Sequence, residues 1–252
     1  MHYVITGGAG NISKPLTQTL LQEGHEVTVI GRNPEHLKPL TDAGAKAAIG
    51  SVEDVDFLTK TFSGADAVYT MVPPKWDAED WKGFIGQIGA HYAKAIQAAG
   101  VTKVVNLSSI GAHLPEGCGP VSGLYRVEAA LNALNGVDVV HLRPGFFYSN
   151  MFANIPLIKQ MGILGGNYGD ANTKMVVVDT NDIAAVAATV LLDLNFTGKS
   201  VRYIASDERT TGDFAKVLGT AIGKPELPWV GFTDEQTLGG MLQAGLSQEV
   251  AA

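Results

Sequence analysis

From its second residue the chain alternates short β-branched runs with longer amphipathic stretches, and glycines fall repeatedly at the junctions. The runs 2–6, 26–30, 45–49, 65–72, 102–107 and 137–142 are rich in Val and Ile, and several are apolar throughout. Uninterrupted apolar strands suit a parallel sheet covered on both faces, since a half-solvated strand alternates instead. Between the runs lie helical patterns: Ile12, Leu16 and Leu20 at spacing four, then Phe57, Leu58 and Phe62, then a stripe through Trp81, Phe84, Ile85, Ile88, Tyr92 and Ile96. Each presents one apolar face to a sheet. Because parallel crossovers are right-handed and connections are short, this order predicts an α/β fold with a doubly wound parallel sheet.

After Leu142 the rhythm breaks. Residues 143–174 carry Pro144, Pro156, Gly162, Gly165, Gly166 and Gly169 and read as loops plus a short helix, with the character of a substrate lid. Regularity returns at 175–178, in an alanine-rich helix after Asp182, in a strand at 200–204 and in a helix at 211–222. Two parts are therefore expected: residues 1–150, and a lid with a small C-terminal lobe over 151–252, with 175–195 packing back on the first part. Residues 234–252 have helical composition but no terminal cap, which leaves a longer native chain open.

Composition removes several function classes. With 46% hydrophobic and 17% charged residues, disorder and coiled coil are excluded. A net charge of −7 leaves no basic excess to neutralise a nucleic-acid backbone. The single cysteine, Cys118, supplies neither an internal disulfide nor a zinc cluster, which fits a reducing cytoplasm. The apolar run at 183–192 falls short of the roughly 20 residues that span a bilayer, and the N-terminus lacks a positive leader, so neither membrane insertion nor secretion is expected.

The first run enters Thr6-Gly7-Gly8-Ala9-Gly10-Asn11-Ile12-Ser13 and then a helix. Strand, glycine turn and helix in that order suit a dinucleotide: one glycine permits the bend, another lets the backbone approach the pyrophosphate, and the helix amides meet its charge. The motif reads with Gly7 and Gly10 or with Gly8 and Gly10, and in both readings Ser13 takes the third position. The second strand ends Ile30-Gly31-Arg32-Asn33, with no acid for a ribose 2′-hydroxyl. Arg32 offers a guanidinium for a 2′-phosphate, so NADP(H) is favoured over NAD(H).

Together with Val105-Asn106-Leu107-Ser108-Ser109, Leu142-Arg143-Pro144-Gly145-Phe146-Phe147 and Asp182-Ile183-Ala184, these motifs resemble the atypical short-chain dehydrogenase/reductase superfamily, in its NmrA-like branch. The resemblance runs from residue 3 to about 225 and implies a Rossmann-type domain. It implies that the turn opened by Thr6 contacts the pyrophosphate through Gly7, Gly10, Asn11 and Ile12, and that Arg32 faces the adenosine 2′ position. It further places the segment 69–74, with Met71, Val72 and Pro73, beside the riboses, Ser51 near the adenine, and Pro144, Gly145 and Phe146 beneath the nicotinamide.

The branch's relatives commonly use Tyr-x-x-x-Lys, where the lysine helps a phenol pass a proton. Here Tyr125 is followed four positions later by Ala129. Aligning Glu128 with the branch's usual glutamate puts Leu124 at the lysine position. An unassisted phenol releases its proton only near pH 10, so Tyr125 needs help from Arg126 or the cofactor. Ser108 and Ser109, at a strand end, either hydrogen-bond the cofactor or a substrate carbonyl, or satisfy the loop backbone. His113, Phe147 and Phe152 are candidate substrate-pocket residues, and Phe146, Tyr148 and Tyr168 either join them or pack the lid's own core.

His91 has no second ligand at helical spacing, so no metal site is expected. The acidic group Asp77, Glu79 and Asp80 reads as helix-start charge. Two functions follow: an NAD(P)H-dependent oxidoreductase acting on a flat, electron-poor small molecule (quinone, dye or enone), or a non-catalytic NADP(H) sensor that signals to a protein partner.

Overall fold

Strand and helix alternate through the first 144 residues of the computed structural model, which describes residues 1–246. The order is β1 (His2–Ile5), α1 (Ser13–Gln22), β2 (Glu26–Gly31), α2 (Pro34–Asp42), β3 (Lys46–Ile49), α3 (Val55–Phe62), β4 (Ala67–Thr70), α4 (Trp81–Ala99), β5 (Lys103–Leu107), α5 (Val121–Asn132) and β6 (Asp138–Pro144). Then come β7 (Phe146–Phe147), a 3-10 helix (Tyr148–Asn154), α6 (Ile155–Met161), β8 (Leu164–Gly166), β9 (Lys174–Val178), α7 (Thr180–Asp193) and β10 (Lys199–Ile204). The described part ends with β11 (Asp207–Thr210), α8 (Thr211–Ala221), β12 (Trp229–Gly231) and α9 (Asp234–Gln243). The helical reading of 234–252 is met over α9, while residues 247–252 lie outside the described part.

One sheet runs β10-β6-β5-β4-β1-β2-β3, and its strands β1 to β6 pair in parallel. This is the doubly wound Rossmann order that the alternation predicts, with β1 central and the strand order reversing beside it. Burial explains the continuous apolar runs: all of β4 and the residues Tyr3, Val4 and Ile5 of β1 are inaccessible to solvent. By contrast, β3 lies at the sheet edge and is largely exposed.

Local signals set the helix starts. Asp54 accepts from the Phe57 amide at 3.0 Å ahead of α3, and Asp80 accepts from the Gly83 amide at 2.7 Å ahead of α4. The acidic group before the long helix thus contains its cap. Helices α4 and α5 approach closely because Gly89 and Gly123 lack side chains: a Cβ on Gly89 would lie 2.7 Å from the Val127 Cα, and one on Gly123 the same distance from the Ile85 Cβ.

By internal contacts the chain divides into two units, Met1–Arg143 with Thr180–Ile204, and Pro144–Asp179 with the chain from Ala205 onward. Within the first, α7 packs on α1, and the Tyr3 hydroxyl donates to the Leu191 carbonyl at 2.8 Å. In the second, β11-β9-β7 and β12-β8 form two small sheets around Met151, Leu164, Val177 and Phe214. The reading of 143–174 as loops plus one helix is therefore corrected, because β7 and β8 lie within it. At two and three residues they are too short to show a period. No helix among the described residues is long and apolar enough to cross a membrane.

Candidate functional site: a glycine turn and its cleft

The turn after β1 is built around Gly7, whose φ of +65° places it in the left-handed region. A Cβ there would lie 2.6 Å from the Met71 sulfur. Gly8 donates to the Ile30 carbonyl at 2.9 Å and fits so tightly that a Cβ would come 2.9 Å from that of Val29. Gly10 closes the turn by donating to the Gly7 carbonyl at 2.8 Å. Thr6, buried behind it, accepts from the Met71 amide through Oγ1 at 2.9 Å, and its carbonyl accepts from the Ser13 hydroxyl at 2.9 Å. Ser13 thus occupies the third motif position by tying helix to strand instead of leaving space.

Helix α1 then begins without a side-chain cap and without an acid in its first turn. Among the described residues, the amides of Asn11, Ile12 and Ser13 have no protein acceptor. Unpaired donors at a helix N-terminus, beside glycines whose Cβ positions are blocked, fit a pyrophosphate.

In front of the turn lies a cleft of about 640 Å³, bounded by Gly7–Gly10, the ends of β2 and β3, and the segment after β4. That size suits a small-molecule site. Gly7, Gly10, Arg32, Ser51, Met71 and Pro73 line it, as the sequence predicts for a cofactor site. Asn11 is exposed, Ile12 buried and Val72 half-buried beside that lining. Arg32 is exposed and pairs with no carboxylate among the described residues, whereas Asn33 is engaged in capping α2, accepting from the Glu35 amide at 2.9 Å. The Ser51 hydroxyl accepts from the Glu53 amide at 3.1 Å. Sequence reasoning missed His36, Lys75 and Trp76, which also line the cleft, and it assigned Phe84 to the sheet-facing stripe of α4 although that ring lines the cleft too. The available signal was the ten-residue connection between β4 and α4, long for a βα loop and stiffened by Pro73 and Pro74.

At the ends of β5 and β6 the structure shows a buried charge network. The Ser108 hydroxyl donates to Glu128 Oε1 at 2.5 Å, Arg143 Nε reaches the same oxygen at 2.9 Å, and Nη2 reaches Oε2 at 2.5 Å. Nη1 donates to the Tyr203 hydroxyl at 3.0 Å. The carboxylate beside it raises the Arg143 pKa further above its usual value, so the guanidinium stays charged. Ser108 therefore directs its proton to Glu128, and Ser109 directs its own to the Ile110 carbonyl at 2.9 Å. Tyr125 is exposed on α5, and the Arg126 guanidinium turns to Glu116 at 3.8 Å, with its stem against Gly86 of α4. His113 is exposed in the loop before α5.

The remaining candidates belong to the second unit. A Cβ on Gly145 would lie 2.6 Å from the Val176 carbonyl oxygen, which requires glycine where the chain runs beside β9. Phe146 and Phe147 register with Val177 and Val178. Phe146 meets Tyr168 edge-on at 5.3 Å and packs on the unit's core, as does Tyr148, whereas Phe152 is 71% exposed.

Comparison with known proteins agrees with this reading. Residues 7–193 match the family model described as NAD(P)H-binding. The chain is 26% identical over 222 residues to a (4-alkanoyl-5-oxo-2,5-dihydrofuran-3-yl)methyl phosphate reductase of Streptomyces griseus, covering 88% of this chain and 74% of that protein. It is 27% identical over 206 residues to a probable pinoresinol-lariciresinol reductase of Arabidopsis thaliana, covering 75% and 63%. An NADPH-dependent quinone oxidoreductase of Escherichia coli, solved with NADPH, superposes with a TM-score of 0.84 at 22% identity over 99% of this chain and 85% of that one. Citrobacter sp. triphenylmethane reductase, solved with NADP(H), gives 0.81 at 23% identity over 99% and 86%. The structural matches establish the fold, the family model spans well over half of the sequence, and the chain belongs to the NAD(P)H-binding family.

Proposed function

We propose that the chain is an NADPH-preferring reductase of a flat, electron-poor small molecule of the quinone, dye or enone type. The observation that carries this is the uncapped glycine turn at the head of a cleft in which Arg32 has no carboxylate partner among the described residues. Gly7, Gly10, Asn11 and Ile12 would hold the pyrophosphate, Arg32 the 2′-phosphate, Ser51 the adenine edge, and Met71, Val72 and Pro73 the riboses. A nicotinamide dinucleotide bound there supplies hydride.

Within this reading Pro144, Gly145 and Phe146 support the nicotinamide side, and His113, Phe147 and Phe152 contribute to substrate binding. Protein-assisted proton delivery is weak: Ser108 is held by a carboxylate, Ser109 by its own loop, and Tyr125 has its neighbouring Arg126 directed to Glu116. An electron-poor acceptor whose reduced form takes its proton from water tolerates that weakness, which a simple ketone does not. The same chemistry belongs to the quinone oxidoreductase and the triphenylmethane reductase that share this fold, and it favours turnover over a purely nucleotide-sensing role.

The test is cofactor consumption by the purified chain, with NADPH and then NADH, against a panel of quinones, triphenylmethane dyes, enones and simple ketones. Oxidation of NADPH by the first three classes and not by ketones is the expected result. Tight dinucleotide binding with no turnover on any acceptor would overturn the reductase reading and leave the sensor.

A further inference from the structure

The segment after β4 arches over the ends of two other strands. In the sheet, β4 and β3 are separated by β1 and β2, which amounts to about 14 Å at the usual inter-strand spacing. Lys75, five residues beyond β4, nevertheless brings Nζ to 3.9 Å from Oε2 of Glu53, which follows β3. Both residues line the cleft in front of the glycine turn, so the pair spans it. Its geometry is loose: the separation exceeds hydrogen-bond length, and the side chains are 40% and 49% exposed. The Lys75 ammonium also sits 4.8 Å above the Phe84 ring on α4, which gives it a second resting contact independent of Glu53.

Charge gives this arrangement a direction. Among the described residues, Arg32 and Lys75 are the lysine and arginine side chains lining the cleft, and Glu53 and Asp77 are the acids. A ligand carrying several phosphate charges is repelled by the two carboxylates unless a cation offsets them. The glycine turn offers only amides. Lysine is a point charge on a flexible stem and can change partners without moving the backbone, which Pro73 and Pro74 stiffen. Glu53, once released, remains in water and costs little to leave unpaired.

Resting on the dinucleotide reading above, we propose that Lys75 binds a phosphate of the cofactor, and that Glu53 is the partner it gives up to do so. The pair then has two effects on affinity: Lys75 raises it, and Glu53 lowers it by competing for Lys75. If the two residues only braced one another, the effect of Glu53 on affinity would not depend on Lys75.

Calorimetric titration of the full chain with NADPH and with NADH at low salt tests this. Lys75→Gln is expected to raise Kd about five- to tenfold, and Glu53→Gln to lower it about two- to fivefold. In the Lys75→Gln background, Glu53→Gln should lower Kd by a clearly smaller factor, because no ion pair remains to be released and only the screened repulsion between the carboxylate and the phosphates is removed. A Lys75→Gln loss confined to NADPH assigns the contact to the 2′-phosphate, and an equal loss for both assigns it to the pyrophosphate. An unchanged Kd in Lys75→Gln overturns the proposal, as does a Glu53→Gln effect that is absent or that persists undiminished in the double variant. Failure of the unaltered chain to bind either dinucleotide would instead overturn the reading on which the proposal rests, and thermal melting of both exposed-site variants confirms that they fold.

Discussion

Glu128 and Arg143 meet as a bidentate ion pair, with nitrogen–oxygen distances of 2.9 and 2.5 Å and side chains only 6% and 10% exposed. Such a pair contributes little net stability over apolar side chains of the same shape, but losing one partner strands a buried charge. Glu128→Gln should therefore lower unfolding free energy by about 3 kcal/mol. The double variant Glu128→Leu with Arg143→Met should recover most of that loss. Urea unfolding of the three proteins checks both statements, and a single-variant loss under about 1 kcal/mol would mean that water already reaches the pair.

His141 adds a dependence on pH. Asn106 Nδ2 lies 3.1 Å from its Nδ1, and its Nε2 lies 3.0 Å from Asn132 Oδ1. Because the Thr70 hydroxyl donates to Asn106 Oδ1 at 2.9 Å, the Asn106 amide nitrogen donates to Nδ1 and the neutral ring donates onward from Nε2. Burial pushes its pKa down from 6.5 to about 4. The unfolded chain thus takes up the proton first, so this contribution is complete above pH 6.5 and is lost as pH falls toward 4. The loss amounts to about 3 kcal/mol by linkage. Stability curves for the unaltered chain and His141→Gln should converge across that window, and a constant gap between them would rule the ring out as the source.

The parallel sheet is legible in the sequence because its central strands are buried on both faces, so that Tyr3–Ile5 of β1 and Ala67–Tyr69 of β4 read as apolar runs without the alternation of a half-solvated strand. The glycine turn is legible because Gly7 has no substitute at its positive φ. The second unit is less so: β7, β8 and β12 have two or three residues each, and Gly165 lets β8 approach the Val230 carbonyl to 2.7 Å from a Cβ position. No periodicity records a pairing of that length. The charge network left a clearer trace. Glu128 stands beside Val127 on the buried face of α5, and Arg143 ends an apolar strand, so each implied a partner without identifying it. Lys75 left no comparable trace, since its role depends on the arch between β4 and α4.

Two glycines with similar backbone angles separate strain from site chemistry. Gly7 has φ +65° with the Met71 sulfur 2.6 Å from a Cβ position, while Gly24 has φ +80° with nothing within 4 Å. Both alanine variants should lose about 1 kcal/mol from the left-handed backbone. Gly7→Ala should in addition displace Met71 and raise the Kd for a dinucleotide more than about tenfold, since the pyrophosphate needs close backbone approach. Gly24→Ala should leave Kd within about twofold. Equal effects on binding would show that general destabilisation, and not the turn, controls affinity.

In the proposed reading Arg32 decides which dinucleotide is preferred. It follows β2 directly, is exposed in the cleft, and competes for no carboxylate among the described residues. The preceding Gly31 cannot be exchanged for an acid without moving Leu37, whose Cδ atoms lie 3.1 Å from its Cβ position, so a ribose-binding carboxylate has no easy place there. A guanidinium and a phosphate can form two parallel charge-assisted hydrogen bonds that a 2′-hydroxyl cannot match. Arg32→Gln should weaken NADPH about 10- to 100-fold and NADH by less than about threefold. Arg32→Asp should go further and invert the preference, because the carboxylate repels the phosphate and accepts from the hydroxyl. Titrations at two salt concentrations distinguish this from a general loss of positive field, which would weaken both cofactors and fade with screening. Tighter binding of NADH than NADPH by the unaltered chain would remove Arg32 from the 2′ position.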